Sequence, residues 1–399
     1  MLRRNARIFR CLPCFMLLIV LLAACAPNSG ILSGGNWVSG GLAHQHIRAL
    51  AVDANNPQNI YAGDEQGTVF VSADGGEHWT QYSSGLPASD PIHALSLDIP
   101  GKKLFAATGK GLFVSTDRAR HWSVVPHLPP GSFTALAFDV EEPSLIFAGT
   151  ATHGVFISNN DGASWRAVSN GLPSSAVINS LVVDPGHHQL WAATSAGVYR
   201  ASDKAALWQP FNTGLPAGIV VNTVQPTAPS GGAQNLVYAG TNRGFFLSQD
   251  LGAHWSRGKE NLSGTSVYCI LIDFRSANAT TVYIGTDVGA FRSDDSGQTW
   301  GAIATGLPKN QPVYALELGA QNYAQLFAAA NDIYLYPGSG GGFDGTRILT
   351  IIIIVAFFFL LYYVTRRNQL KRAGPRRPQQ PPAGAPQSEP TPPSQPKKP

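Results

Sequence analysis

The chain has 399 residues but only four cysteines, and three of them, Cys11, Cys14 and Cys25, fall in its first 25 residues. Cys269 is alone in the remainder, so no disulfide framework can staple the fold. A strong charge of one sign is missing too. The net charge is +4, while Arg3, Arg4, Arg7 and Arg10 contribute +4 and residues 366–399 contribute +7, which leaves residues 11–365 at about −7. The basic character therefore belongs to the two ends, and nucleic-acid binding by the middle is excluded as a leading function. No Gly-rich phosphate loop, zinc ribbon or serine-nucleophile elbow is found. Neither a metal nor a cofactor is expected. Cys11-Leu-Pro-Cys14 has redox spacing but lies within a basic and apolar leader.

What the chain does have is an octet, Ser293-Asp294-Asp295-Ser296-Gly297-Gln298-Thr299-Trp300, and weaker upstream copies of it. The copies are Ser72, Asp74, Gly76, Trp79; Ser115, Asp117, Trp122; Ser158, Asn160, Gly162, Trp165; Asp203, Trp208; and Ser248, Asp250, Gly252, Trp255, with Trp37 standing first and without an octet. The tryptophans are 42, 43, 43, 43, 47 and 45 residues apart, the period of a four-stranded propeller blade. Short Ser and Asp oxygens accept hydrogen bonds from turn N–H groups, Gly supplies a backbone position with φ > 0, and Trp packs on the outgoing strand.

Each unit reads as a Gly-Leu-Pro turn, an alternating strand, a second strand ending near Ala-Gly-Thr, a third strand and the octet. First strands such as Ile47–Val52, Ile92–Leu97 and Val267–Ile272 close on an acid: Asp53, Asp98, Asp139, Asp184 or Asp273. The last unit has strands at Val313–Leu318, Leu326–Ala330 and Ile333–Tyr336 and then no tryptophan. Trp37 supplies the missing fourth strand, so the fold is expected to be all-β, a seven-bladed propeller over 36–336 closed by pairing of the N-terminal strand with the last blade. Six or eight blades follow if one weak copy is miscounted. Thr227–Gln234 is read as a surface-loop insertion that accounts for the longest spacing.

The repeat resembles the Asp-box, or BNR repeat, of sialidases, sortilin-type receptors, tandem-propeller xyloglucanases and the photosystem II assembly factors of plants and cyanobacteria. The resemblance covers most of the chain and implies a fold more than a function, because these families do unrelated things. Sialidase chemistry would need an arginine triad and a Tyr–Glu nucleophile pair, and no Arg-Ile-Pro segment opens the domain. The xyloglucanases share the Gly-Leu-Pro and Tyr-Ala-Gly-Thr wording but place catalytic aspartates between two propellers, and only one is present here. Asp64 and Asp287 are the acids to test for such activity. Cys269 occupies a column otherwise filled by Ala49, Ala94, Ala135, Ser180, Thr223 and Ala315, and reads as a small buried hydrophobe.

Outside the repeats, residues 1–24 read as a signal peptide, basic and then apolar. Leu22-Ala23-Ala24-Cys25 is similar to a bacterial lipobox, which implies a lipidated Cys25; an ordinary cleavage site or uncleaved anchor is the alternative. Residues 25–35 form a linker, 337–346 a Gly-rich linker and 347–365 one C-terminal transmembrane helix. Residues 366–399 form a basic, Pro-rich tail without a core, containing Pro378-Gln-Gln-Pro381, a segment of polyproline-II type. Charge asymmetry places the tail in the cytoplasm and the propeller outside a bacterial cell membrane.

Both tethers join the propeller on its octet side, so the opposite face should point outward. Its loops supply His44, His46, Asp64, Glu65, Asp90, Lys110, His153, Asn242, Arg243, Asp287, Lys309 and Asn331 as binding candidates. His44-Gln-His46 pairs two imidazoles without an evident third metal ligand. The function predicted is a monomeric, non-catalytic binding or scaffold module for an extracytoplasmic protein or glycan, resembling the assembly factors in layout; the alternative is a cell-surface glycoside hydrolase.

Overall fold

The computed structural model describes residues 36–337, apart from 99, 185–188, 203, 206, 228–234, 259–261, 274–280 and 320–324. The leader, Cys25, both linkers, the apolar stretch 347–365 and the tail lie outside the described residues, as do Asp203 and most of the inserted loop. Among the described residues no helix is long and apolar enough to cross a membrane.

These residues form seven four-stranded antiparallel sheets. Blade 1 runs Ile47–Val52, Ile60–Asp64, Val69–Ser72 and Thr80–Tyr82, and blades 2 to 6 repeat that order. Their innermost strands are Ile92–Leu97, Phe133–Phe138, Ile178–Asp184, Val221–Pro226 and Val267–Asp273. Blade 7 takes Ala315–Leu318, Gln325–Ala329 and Ile333–Pro337 from the far end of the domain and Val38–Ser39 from the near end. Innermost strands neighbour one another in sequence order, and that of blade 7 returns to blade 1. The sheets therefore close a ring around a central channel.

Burial follows position within the blade. Second strands such as Leu104–Thr108, Ile146–Thr150 and Val237–Thr241 are buried at every residue. Each is covered on both faces by adjacent blades, which is why these strands read as continuous apolar runs. The short fourth strands, among them Ser123–Val124 and Arg166–Ala167, are exposed.

The octets adopt one hydrogen-bond scheme. In blade 1 the Ser72 hydroxyl donates to Asp74 Oδ1 at 2.7 Å and accepts from Gly76 N at 2.8 Å, while His78 N donates to Asp74 Oδ1 at 3.0 Å. The same bonds recur at Ser115/Asp117/Ala119, Ser158/Asn160/Gly162, Ser248/Asp250/Gly252 and Ser293/Asp295/Gly297. The third residue has φ of +97° at Gly76 and +66° at Ala119, so blade 2 accepts in alanine a conformation that usually selects glycine. The acids that close first strands cap the next turn: Asp53 Oδ1 accepts from Asn55 N and Asn56 N, and Asp98 Oδ1 from Lys102 N and Lys103 N.

Tryptophan and the Gly-Leu-Pro turn together join blades. Trp122 N, Trp208 N and Trp255 N donate to the carbonyls of Ser84, Asn170 and Thr213, each in the turn leaving the previous blade. The glycine of that turn packs flat on the tryptophan main chain. A Cβ added at Gly85, Gly171 or Gly214 would stand 2.1 Å, 2.2 Å or 2.2 Å from the facing tryptophan carbonyl oxygen. Indole N–H groups add a second tie: Trp208 Nε1 donates to Val168 O and Trp255 Nε1 to Phe211 O.

Ring closure uses this joint across the whole sequence. Trp37 N donates to Thr305 O at 2.8 Å, its indole N–H reaches Ile303 O, and Gly306 lies on its carbonyl. Val38 pairs with Leu335 and Ser39 with Tyr334, and the rings of Trp37 and Tyr336 are 5.1 Å apart. Asp332 fastens the strand from the other end, accepting from Ser39 Oγ at 2.6 Å and Leu42 N at 2.8 Å. The expected closure by the N-terminal strand is thus what forms.

A prediction follows from the glycine contact. Gly306→Ala combines left-handed strain at φ +95° with a carbonyl 2.2 Å from the new Cβ and should cost about 3 kcal/mol. Gly218→Ala has φ +67° and open space around the Cβ, so only strain of about 1 kcal/mol is expected. Denaturant midpoints of the two variants measure the difference; equal values would mean that the blade 6 to Trp37 joint does not hold the ring.

Candidate functional site

Each innermost strand starts beside the loops of the face opposite the octets. Its first residue in blades 1 to 6 is a buried apolar anchor, Ile47, Ile92, Phe133, Ile178, Val221 or Val267, and in blade 7 Val313 takes that place two residues ahead of Ala315–Leu318. The next residue sits in a β-bulge in blades 1 to 6, where the register shifts at Arg48, His93, Thr134, Asn179, Asn222 and Tyr268. Tyr314 holds that place in blade 7. A bulge re-aims one side chain without unpairing the strand, and here it puts seven non-equivalent side chains around the channel mouth.

The ring divides into two arcs. In blades 3, 4 and 5 the side chain reaches the next blade: Thr134 Oγ1 donates to Ile178 O, Asn179 Nδ2 to Val221 O at 2.8 Å, and Asn222 Nδ2 to Val267 O at 2.9 Å. In the four consecutive blades 6, 7, 1 and 2 the residues are instead Tyr268, Tyr314, Arg48 and His93. The Tyr268 and Tyr314 rings are 5.3 Å apart, the Arg48 guanidinium lies 3.7 Å from the Tyr314 centroid, and Arg48 pairs with Glu65. Although solvent reaches the His93 ring, the channel walls desolvate it and hold its pKa below the ordinary value; Asp90 opposes this and Arg48 adds to it. Burial raises the Tyr268 phenol, helped by Asp287.

Of the residues selected from sequence, Glu65 joins this cluster directly, and Asp287 and Asp90 border it. Asp64 is buried at 2 % exposure, and its Oδ1 accepts from Gln66 N at 2.8 Å and Thr68 N at 2.7 Å. It occupies the column of Thr108, Thr150, Thr194, Thr241 and Thr286, whose hydroxyls bridge the same turn in other blades. Burial raises its pKa against these donors. Asn242 Oδ1 accepts from Val220 N, and Asp287 Oδ1 accepts from Ser266 N, both tying one loop to another. Asp90 Oδ2 receives Lys110 N, and Asn331 O accepts from His46 N.

His44, His46, His153, Arg243 and Lys309 are exposed. His44 and His46 belong to a loop, not a strand, and adopt φ of +65° and +51°. The structure does not bring them into the Arg48 cluster. Reading the loops missed Arg48, His93, Tyr268 and Tyr314. Their signal was available: the position following the apolar anchor is the first-strand column in which the blades differ most.

Elsewhere, Asp74, Glu77 and His78 offer ligand atoms within 4.8 Å of one another. His78 Nδ1 is 2.7 Å from Asp74 Oδ2, and the same pair recurs at Asp117–His121 and Asp250–His254, where no glutamate accompanies it. The pair is thus a feature of the octet turn, and its hydrogen bonds hold Asp117 and Asp250 down at about 2. Desolvation pushes the Cys269 thiol up to about 12, which disfavours its thiolate. Glu317, on the innermost strand of blade 7, is partly buried, and desolvation raises its carboxyl to about 7.

No protein-family model matches the chain, and no curated protein matches it. Among solved structures, YCF48 from Cyanidioschyzon merolae is 17 % identical with a TM-score of 0.56, over 76 % of this chain and 98 % of that one. A structure of YCF48 bound to D1 peptide is 16 % identical with a TM-score of 0.60, over 77 % and 98 %. The GH74 xyloglucanase from Xanthomonas campestris is 14 % identical with a TM-score of 0.59, over 76 % of this chain and 54 % of its own. What these likenesses establish is the fold: a seven-bladed β-propeller. The present chain spans about half the length of that xyloglucanase.

Two predictions test these placements. Asp64→Ala should cost about 1–3 kcal/mol by leaving buried turn donors unmet, whereas Asp64→Thr should stay near wild type because five other blades use threonine there; thermal melts compare them. Glu317 has a folded-state pKa above its ordinary 4.5, so its protonated form favours folding. The contribution of Glu317 to stability should be fully present below about pH 4.5 and be lost as pH rises through about 7. Relative to Glu317→Gln, wild type should lose about 3–6 °C of melting temperature across that window; parallel pH profiles would show that Glu317 titrates normally.

Proposed function

We infer that the chain is a binding module: an extracytoplasmic, membrane-anchored propeller that holds a protein partner on the face opposite the octets and acts without covalent chemistry. The observation that carries this reading is the division of the channel mouth. Three blades use the bulge residue to bond their neighbour, while four adjacent ones present Tyr268, Tyr314, Arg48 and His93 to solvent. Aromatic and arginine side chains supply most of the energy at protein interfaces. The YCF48 structure that holds a D1 peptide supports the same use of this fold; nothing in these residues points to photosynthesis.

Anchoring rests on the sequence of the ends. The strand Val38–Ser39 begins, and the strand Ile333–Pro337 finishes, on the octet face. Tethers of about ten residues reach about 35 Å at most, so a lipidated Cys25 and a span at 347–365 would keep the octet face toward the membrane and leave the channel mouth free. The glycosidase alternative draws on the fold shared with the xyloglucanase. Asp64, one of its two candidate acids, already caps a turn, and Asp287 ties a loop.

Photo-crosslinking side chains introduced at Arg243 and Lys309, and at Glu77 on the octet face, should test this in intact membranes. Crosslinks to a protein from the first two sites and few from Glu77 are expected. Crosslinks confined to Glu77, or hydrolysis of xyloglucan that disappears with Asp287→Ala, would overturn the reading.

A further inference from the structure

The face opposite the octets is uneven in charge as well as in shape. All five acidic side chains of its described loops, Asp64, Glu65, Asp90, Asp287 and Asp332, lie in blades 6, 7, 1 and 2. Those are the blades that carry the aromatic and arginine arc. Among the described residues, the loops of blades 3, 4 and 5 contribute no acid and one arginine, Arg243. Asp64, Asp90 and Asp332 are buried and hold loop N–H groups, and Glu65 pairs with Arg48, so Asp287 is the carboxylate left beside the stacked phenol rings. A carboxylate at a ring face makes a site for a cation, because both attract the same charge.

The protein already shows how such a cation sits. Arg48 lies over Tyr314 at 3.7 Å and pairs with Glu65. Tyr268, 5.3 Å from Tyr314, repeats half of the arrangement. It has a carboxylate beside it, Asp287, and feels Arg48 as well, but that guanidinium lies over the Tyr314 ring. On the other flank of Arg48, desolvation lowers the pKa of His93, which disfavours a second charge there.

On the strength of the binding role inferred above, we propose that the Tyr268–Tyr314 pair is the docking site for an arginine or lysine side chain of an extended peptide segment, with Asp287 as its counter-ion and Arg48 as the resident cation beside it. The peptide's guanidinium or ammonium lies against Tyr268 as the Arg48 guanidinium lies against Tyr314. Arg48 then limits affinity by like-charge repulsion. Polarity of this kind selects a basic segment over an acidic one and over a neutral glycan, which the rings alone would accept.

The test is calorimetric titration of the full chain, in detergent micelles, with N-acetylated, amidated tetra-arginine. Tetra-glutamate and a xyloglucan heptasaccharide serve as comparisons. Tetra-arginine should bind and the other two should not. Tyr268→Leu combined with Tyr314→Leu should weaken it about tenfold, Asp287→Asn should weaken it several-fold, and Ser123→Ala on the exposed fourth strand of blade 2 should leave it unchanged. Arg48→Gln gives the sharper readout and leaves the rings in place: binding should tighten several-fold, because the repelling charge is gone. Weaker binding in Arg48→Gln, equal affinity in every variant, or preference for tetra-glutamate or the heptasaccharide would overturn the assignment. Failure here alongside crosslinks from Arg243 or Lys309 would remove this ligand and leave the broader binding role standing.

Discussion

Glycine against a tryptophan carbonyl is the contact on which this architecture depends. A blade alone is a four-stranded sheet with two apolar faces, and its second strand is buried only when other blades cover both sides. The joint between Gly85, Gly171, Gly214 or Gly306 and the facing tryptophan carbonyl fixes how close consecutive blades come and at what angle. No side chain fits there. Indole N–H bonds and the octet turn then set where each tryptophan stands. Because the last of these joints links residue 306 to residue 37, the same contact that spaces neighbours also closes the ring. Closure leaves blade 7 dependent on Val38–Ser39, a two-residue strand that pairs only with Ile333–Pro337.

This dependence explains why so much of the fold could be read from residues. A joint repeated at four of the seven blades, beside an octet turn repeated in most of them, forces the same short side chains, glycine and tryptophan to recur, and recurrence is what makes a period visible. The stranded Trp37 and the tryptophan-free last unit then imply each other. Boundaries of Ile47–Val52 and Ile92–Leu97 agree with those expected. The strand expected at Val267–Ile272 extends one residue further because the closing Asp273 still pairs, and the one expected at Val313–Leu318 begins only at Ala315.

The channel mouth was illegible for the converse reason. Its residues matter through their differences, and a search for likeness passes over a column that reads Arg, His, Thr, Asn, Asn, Tyr, Tyr. The loops drew attention because charged residues cluster there, yet loop position does not say where a side chain goes. Asp64 was read as a surface acid although the column it fills is otherwise threonine, and its carboxylate does what those hydroxyls do. Asn242 and Asp287 similarly bond backbone in the adjoining loop. His44-Gln-His46 alternates as a strand would, but its two histidines take left-handed backbone angles and belong to a turn.

Those differences bear on function through what the fold forgoes. Thr134, Asn179 and Asn222 show that a short polar side chain at the bulge can bond the next blade, a contact worth about 1 kcal/mol where it is made. Blades 6, 7, 1 and 2 do without that bond at this position. Their side chains pair with one another instead, Arg48 with Glu65 and Tyr314, and Tyr314 with Tyr268, in a place where solvent screens the ion pair. Selection for stability alone would favour asparagine or threonine at all seven positions. A ring that keeps its structural bond in three consecutive blades and replaces it in the other four, on the side where the acids also gather, is better explained by a ligand approaching from that side than by the needs of the ring itself.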